Sequence, residues 1–482
     1  MQQLPPTPTD YQTILPLIFL MAWACVLLLV DLFIPRERKG ITTFFSVIGL
    51  LVTLVLTVRQ IGQSNIAFQG MVVVDGFAVF ANILLLVSGL FGVALAHGYN
   101  KRIGIQRSEY YTLLLFSVSG MMLMAQSADL IVVFLALELL SIPLYVLAAI
   151  TRKADSEESG VKYFLLGAFA TGFVVYGTAL IFGATGTTSL HAIVESVSGG
   201  TSNLLLSIGA ALLLVGFGFK VAAVPFHMWT PDVYQGAPTS VTAFMSSGAK
   251  IAGFVALLRV FATAFPSISD DMTGILWIMS ALTMIVGNVV AISQTNIKRL
   301  LAYSSIAHAG YILMAFVPYG NKDVVSTSIA AGLFYLLAYV VTNFGAWAVV
   351  ITLEKAEGKG LELSDYAGLA AKYPGLAAAM AVFMFSFIGF PPTLGMVGKF
   401  YLFRAVIAGG FPGLAIIGVL TSLISAYYYL RIVVNMYMRE GDPQIEREPW
   451  LGLTSAVTAI ATVALSLVPQ FLFLLASTAV LK

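Results

Sequence analysis

Hydrophobic residues along the chain gather in long blocks separated by short polar connections, with neither the alternation of a strand nor the one-sided stripe of a surface helix. A helix needs about 20 apolar residues to cross about 30 Å of hydrocarbon. Fourteen runs approach that length: 11–34, 41–62, 74–98, 110–126, 129–150, 160–184, 203–223, 239–263, 271–293, 300–319, 324–352, 374–408, 411–437 and 450–479. The pattern predicts an all-α polytopic membrane protein with about 14 transmembrane helices. Basic residues fall in alternate connections: Arg36, Arg38 and Lys39 after run 1, Lys101, Arg102 and Arg107 after run 3, Arg152, Lys153 and Lys162 after run 5. Lys298 and Arg299 after run 9, Lys355, Lys359 and Lys372 after run 11, and Arg439 and Arg447 after run 13 continue the series. Because lysine and arginine stay on the cytoplasmic side, both termini are expected on the opposite face. A missed or invented span would break the alternation.

The longest connections are about twenty residues, too short to bury a separate core, so residues 1–482 read as a single membrane domain. Within it, runs 7 and 12 echo each other. GFGFKVAAVPFHMW surrounds Lys220 and GFPPTLGMVGK leads to Lys399, each combining glycine, proline and a lysine. Irregular backbone at membrane depth is tolerated only beside protein or a water-filled cavity, so both runs are expected to be broken helices. Runs 4–8 and 9–13 make two sets of five, and an odd number of spans inverts one set relative to the other. Residues 1–109 then carry three leading helices, 110–263 and 271–437 the two inverted units, and 450–482 a last helix. Paired breaks in inverted halves point to an ion path; the alternative is that glycine and proline serve packing alone.

Composition agrees with the pattern. Hydrophobic residues make up 59% of the chain and charged ones 10%, against about 25% charged in soluble domains. One cysteine, Cys25, excludes an intrachain disulfide and a thiolate cluster for zinc or iron-sulfur. A net charge of +2 with scattered basic residues gives no nucleic-acid footprint. The first basic residue, Arg36, follows the first apolar run, so a cleavable signal is not expected.

Four charges stand out inside the apolar runs: Glu138 in run 5, Lys220 in run 7, Lys250 in run 8 and Lys399 in run 12. Each costs about 3 kcal/mol at the bilayer centre, roughly 12 kcal/mol together if left unpaired. Glu138, between leucines and ahead of Pro143, is a candidate proton carrier or the structural partner of a lysine. Lys220 and Lys250 flank the turn-rich segment VPFHMWTPDVYQGAPTS, suited to a hydrated cavity, and a lysine buried in low dielectric exchanges its proton more readily. Lys399 follows Gly398 on the second half of broken run 12; its alternative role is snorkelling at a helix end.

His227, after Pro225, and His308, in AYSSIAHAGYIL, lie at depths where imidazole can relay protons; both also suit hydrogen-bonded packing. His97 and His191 lie at membrane ends or in a loop, and Asp31 and Asp129 near span ends, where hydration makes a charge cheap. No glycine-rich loop follows a strand, so no phosphate cradle is present, and four scattered histidines do not provide haem ligands. The chain is expected to carry no electrons and no cofactor.

Four stretches, ALELLSIPLYVL, FKVAAVPFHMWTPDVYQGAPTSVTAFMSSGAK, NIKRLLAYSSIAHAGYIL and FIGFPPTLGMVGKFYLF, resemble the antiporter-like membrane subunits of respiratory complex I, the proton-pumping NADH:quinone oxidoreductase. The resemblance runs over nearly the full length, and the second stretch is the most specific. It implies a central proton path through Glu138, Lys220, Lys250 and Lys399. It also implies that FMN, iron-sulfur clusters and quinone belong to partner subunits, that K-type and M-type subunits are the neighbours, and that the protein sits in a bacterial inner or equivalent energy-transducing membrane. The M-type has glutamate where Lys399 stands and the L-type carries a long carboxy-terminal extension, whereas here Lys482 follows run 14; the N-type is the match. Multisubunit sodium/proton antiporters share the lysine pattern and form one rival reading, a non-pumping membrane scaffold the other. The mechanism expected is a Glu138–Lys220 ion pair, worth roughly 4 kcal/mol at about 4 Å and an effective dielectric near 20, whose separation drives a proton on through Lys250 and His308 to Lys399.

Overall fold

The structure is a computed structural model that describes residues 6–35, 39–105, 107–197, 204–356, 358–479 and 481. Arg36, Arg38, residue 203 at the start of run 7, and Lys482 lie outside the described residues. The protein is a helical membrane protein. Run 1 forms two helices, α1 (Pro8–Thr13) and α2 (Leu15–Asp31), with the joint at Ile14 just ahead of Pro16, which lacks an amide hydrogen. After α3 (Gly40–Val58) comes a departure from the all-α expectation. Strands β1 (Asn65–Ala67) and β2 (Val72–Val74) pair antiparallel, Asn65 opposite Val74 and Ala67 opposite Val72. Three consecutive β-branched valines favour extended backbone, and Gly70 turns the hairpin at φ +91°.

The next helices are α4 (Gly76–Arg102), α5 (Ser108–Gln126), α6 (Leu130–Ala148), α7 (Ala154–Thr185), α8 (Leu190–Val197), α9 (Leu204–Val221) and α10 (Trp229–Gly236). Asp155 and Glu157 in the first turn of α7 extend it ahead of its apolar run, and Gly186 ends it in the left-handed conformation at φ +73°. Run 8 is not one regular helix: α11 (Thr239–Phe244) passes through a π turn at Met245–Ala249 into α12 (Lys250–Ala264). There follow α13 (Ser269–Ile292), α14 (Ile297–Met314), α15 (Val325–Leu353), α16 (Leu369–Lys372), α17 (Pro374–Ile388), α18 (Leu394–Ala408) and α19 (Pro412–Met438). Run 14 is also divided, by a 3₁₀ turn at Leu465–Leu467 ahead of Pro469, into α20 (Pro449–Ala464) and α21 (Pro469–Thr478).

Both expected interruptions are present. α9 stops where Ala222 takes φ +61°, three residues ahead of Pro225, and α17 stops at Gly389, φ +90°, ahead of Pro391 and Pro392. Among the described residues ten helical stretches are long and apolar enough to cross a membrane. Their burial sorts them into layers. The stretch Thr239–Ala264 is 100% buried within its apolar window and Val325–Leu353 is 89% buried, whereas Ala154–Thr185 is 28% buried. So α11–α12 and α15 form the axis, and α7 lays Phe164, Leu165 and Phe169 outward, as a hydrocarbon environment requires.

Several helix pairs approach almost to backbone contact, α5–α6 and α13–α14 among them. A Cβ on Gly120 of α5 would lie 2.3 Å from the Leu140 nitrogen of α6, and one on Gly287 of α13 would lie 2.6 Å from the Ala307 nitrogen of α14. Small residues permit this approach, which is how helices associate where solvent supplies no hydrophobic drive.

Asp31 and Asp129 differ from expectation. They are buried, and hydrogen bonds rather than hydration meet their charge: Asp31 accepts from Thr42 at 2.9 Å and pairs with Lys39, while Asp129 caps α6 through the Ile131 amide at 2.8 Å and accepts from Thr188 at 2.7 Å.

Candidate functional site

The break after α9 is what places Lys220. A helix end leaves backbone carbonyls without intrahelical partners, and the Trp229 indole donates to one of them, Phe219 O, at 3.0 Å. Beyond the break, the Val224 amide donates to Thr283 Oγ1 on α13 at 2.9 Å, tying the loop to a later helix. Lys220 occupies the last turn of α9, is 5% exposed, and donates to Ser141 Oγ on α6 at 2.8 Å and to Tyr163 OH on α7 at 3.3 Å. The Tyr163 ring, stacked on Trp229 with centroids 4.6 Å apart, lies 5.6 Å from the ammonium.

Glu138 lies one turn before Ser141 on α6, is half-buried, and accepts from Thr171 Oγ1 on α7 at 2.7 Å. The expected direct Glu138–Lys220 ion pair is absent. The three-residue offset on α6 puts the Ser141 hydroxyl, not the carboxylate, within reach of the ammonium.

Lys250 is the first residue of α12, directly after the π turn, and donates to Ser305 O on α14 at 2.5 Å and to the Ser305 hydroxyl. Asn343 on α15 holds the turn itself, its Nδ2 donating to Ser246 Oγ at 2.7 Å and Ser247 Oγ at 2.8 Å. Gly253, one turn along α12, packs against the Lys220 stem: a Cβ there would come 3.3 Å from Lys220 Cγ. Lys220 and Lys250 are therefore neighbours across the α9–α12 contact.

His308 lies one turn beyond Ser305 on α14. Its Nδ1 meets Tyr335 OH at 2.7 Å and its Nε2 meets Tyr429 OH at 3.2 Å, and its ring centroid is 5.0 Å from Phe387 and 5.7 Å from Tyr311. Those two residues border Lys399. On α18, Lys399 donates to the Phe387 and Ile388 carbonyls, both at 3.0 Å, and to Ser422 Oγ at 2.9 Å, with its ammonium 4.4 Å from the Tyr311 ring centroid. The two carbonyls are the last of α17, the negative end of that helix. Lys399 is thus not snorkelling; it is 4% exposed and caps the broken helix from within.

Beyond Lys399 the network continues. Ser422 meets Tyr311 OH at 3.2 Å, Asn288 Nδ2 donates to Tyr311 OH at 3.3 Å, and Tyr428 OH donates to Asn288 Oδ1 at 2.9 Å. His227 does not join this row: it is half-buried in the loop after α9, and its Nδ1 has no hydrogen-bond partner.

Sequence reasoning passed over further charges inside the apolar runs, Arg259 among them. Arg259 on α12, 2% exposed, donates from Nη2 and Nη1 to the Asp75 carboxylate at 2.8 and 3.1 Å and from Nε to Ala125 O at 3.0 Å. Asp75 in turn caps α4 through the Ala78 amide at 2.8 Å. An arginine in the run ALLRVFATA carried the same signal as Lys250. The hydroxyl partners Ser141, Ser305 and Ser422 carried no such signal, since serine is common in membrane helices.

A family profile described as "NADH:quinone oxidoreductase/Mrp antiporter, TM" matches residues 127–425, from the start of α6 into α19. The chain is 47% identical over 465 residues, 95% of its length and 94% of the relative's, to NADH-quinone oxidoreductase subunit N of Trichlorobacter lovleyi. The chain belongs to the subunit N family of NADH-quinone oxidoreductase. Among solved structures it is similar to a chain of respiratory complex I from Thermus thermophilus, with TM-score 0.83 and 36% identity, over 96% of this chain and 99% of that one. A chain of the Mrp complex from a Dietzia species matches with TM-score 0.86 at 21% identity, covering 98% and 97%. That likeness concerns the fold, which the two families share; sequence identity separates them. As a subunit N family member the chain is a membrane subunit of the oxidoreductase.

Proposed function

We propose that protons cross the membrane along the buried row formed by Glu138, Ser141, Lys220, Lys250, Ser305, His308 and Lys399, driven by quinone reduction in other subunits. One observation carries this reading: three buried lysines 5%, 2% and 4% exposed bond to hydroxyls and carbonyls, with no carboxylate within ion-pairing distance of any of them among the described residues. A structural lysine in hydrocarbon is ordinarily paired. Ammonium groups each held by a serine hydroxyl rather than a carboxylate instead suit groups that lose and regain a proton.

On this reading Thr171 holds Glu138 while Ser141 bridges toward Lys220. A shift of α6 that moves the carboxylate toward or away from the ammonium changes how firmly Lys220 holds its proton. Lys250 takes it across the α9–α12 contact, Ser305 and His308 pass it along α14, and Lys399 delivers it to the outer side. His227 is outside the bonded row and has at most an accessory part.

The same reading includes fourteen crossings, in which α5–α12 and α13–α19 are two inverted five-helix units, matched by their broken helices and by the glycine contacts at Gly120 and Gly287. Both termini face away from the cytoplasm of a bacterial inner membrane, with K-type and M-type subunits as neighbours. FMN, iron-sulfur clusters and quinone lie in partner subunits. The test is Lys220→Ala in the assembled complex, with NADH oxidation and proton uptake followed in inside-out vesicles. Loss of most proton uptake is expected; wild-type pumping with normal assembly sinks the path.

A further inference from the structure

Away from the row, two cavities meet at the end of the molecule where Lys39, Lys101 and Arg107 gather. One, of about 230 Å³, is polar and is lined by Lys101, Arg107, Asn100 and Tyr111 among others. The second, of about 610 Å³, is an apolar slot between α3, α4 and α20, walled by Phe44, Ala94, Trp450, Leu453 and Val457. Gly40, Thr43 and His97 line both, so the chamber and the slot are adjacent, with the His97 Nδ1 and Thr43 Oγ1 contact of 3.2 Å between them.

The polar chamber carries uncompensated positive charge. Of the nearby acids, Asp31 pairs with Lys39 and accepts from Ser108, Glu448 lies 3.6 Å from Arg102, and Glu109 accepts from Ser108 at 3.4 Å. Lys101 and Arg107, both exposed, form no ion pair among the described residues. Asn100 in the same wall is 2% exposed; its amide has the Tyr111 hydroxyl as a polar neighbour, and its oxygen has no hydrogen-bond partner. A buried amide only partly satisfied is a cost in a native fold and leaves room for a polar ligand group.

The slot fixes what else the ligand carries. Phe44 is 63% exposed and Trp450, in the first turn of α20, 52% exposed. Tryptophan concentrates at the level of lipid headgroups, which puts the mouth of the slot at the membrane interface with its length running into hydrocarbon.

We propose that the two cavities form one site for an anionic phospholipid, with the phosphate held by Lys101, Arg107 and the Asn100 amide and an acyl chain lying in the slot. An acyl chain gains little by leaving bilayer hydrocarbon for an apolar slot, so the headgroup charge sets the selectivity. Two basic side chains at the surface give roughly a 30-fold preference for an anionic over a zwitterionic headgroup. The site is independent of the proton row and stands or falls without it.

The assembled complex, placed in phosphatidylcholine vesicles doped with phosphatidylglycerol or with phosphatidylcholine carrying an acyl-chain diazirine, tests this by photolabelling and peptide mapping. The peptides containing Phe44–Val47 and Trp450–Val457 are expected to take about 30-fold more label from phosphatidylglycerol. The exposed pair K101Q/R107Q should erase that difference, and A94F, which fills the slot, should abolish labelling by either lipid. Equal labelling by the two lipids overturns the proposal, as does a preference unchanged in K101Q/R107Q. Displacement of the label by millimolar inorganic phosphate identifies a free-anion site instead. Absence of label from both lipids places a neighbouring subunit in the slot and also overturns it.

Discussion

Lys220 reaches Ser141 rather than Glu138: its ammonium donates to the serine hydroxyl at 2.8 Å, while the carboxylate one turn earlier accepts from Thr171 at 2.7 Å. The Ser141 hydroxyl accepts from the ammonium and gives its own proton to Leu137 O one turn back on α6, so it anchors Lys220 to the helix that carries Glu138 without touching the carboxylate. Ser141→Ala removes that anchor and leaves the ammonium only the longer bond to Tyr163. NADH-driven proton uptake in inside-out vesicles should fall several-fold, while Ser141→Thr, which keeps the hydroxyl, stays near wild type. If Ser141→Ala pumps normally, Glu138 and Lys220 communicate without it.

Lys399 donates to two carbonyls at the end of α17. A carboxylate at this position would face the negative end of the helix and could not donate, leaving two buried carbonyls unmet at about 1–3 kcal/mol each. Lys399→Glu should therefore lower the amount of assembled complex, read by native gel of solubilised membranes. Lys399→Arg, which still donates, should assemble but pump poorly, because guanidinium does not release its proton. Full pumping by the arginine variant would remove Lys399 from the path.

Much of this arrangement was legible in the chain itself, and the reasons divide cleanly. Lys220, Lys250 and Lys399 stand out because a charge in hydrocarbon is costly, and the breaks beside Lys220 and Lys399 because proline and glycine interrupt the helical ladder. That Lys220 meets Ser141 and not Glu138 was not legible, since it depends on how α6 and α9 are rotated, and a three-residue offset decides which side chain arrives. The π turn before Lys250 was equally hidden: TAFMSSGAK reads as ordinary helix, and Asn343, which holds Ser246 and Ser247, is far away in sequence. The β1–β2 hairpin escaped because its strands are only three residues long.

Arg259 and Asp75 form a pair that is almost wholly enclosed, 2% and 0% exposed. Breaking a buried pair from one side strands the other charge and costs about 3–5 kcal/mol. Arg259→Met alone should sharply reduce the subunit's level in the membrane. Adding Asp75→Asn should restore much of it, because asparagine is neutral and can still cap α4 at Ala78. Immunoblots of membranes from the two strains check this; a double variant no better than the single would mean that the pair fixes geometry rather than balancing charge.

The two candidate histidines are distinguished by their surroundings. His308 is 3% exposed, touches two tyrosine hydroxyls through its two ring nitrogens, and follows by one turn the serine that receives Lys250. An imidazole bonded on both sides can take a proton at one nitrogen and give one up at the other. His227 has an unmet Nδ1 and sits beside Met228, which is 76% exposed. His308→Ala should thus slow proton transfer strongly, by about 100-fold if the ring acts as a general acid–base, with NADH oxidation falling in step where the two are coupled. His227→Ala should leave pumping within about twofold of wild type, since it breaks no link in the row. Measured side by side in the same vesicles, equal losses from the two substitutions would move the relay out of α14 and into the loop after α9.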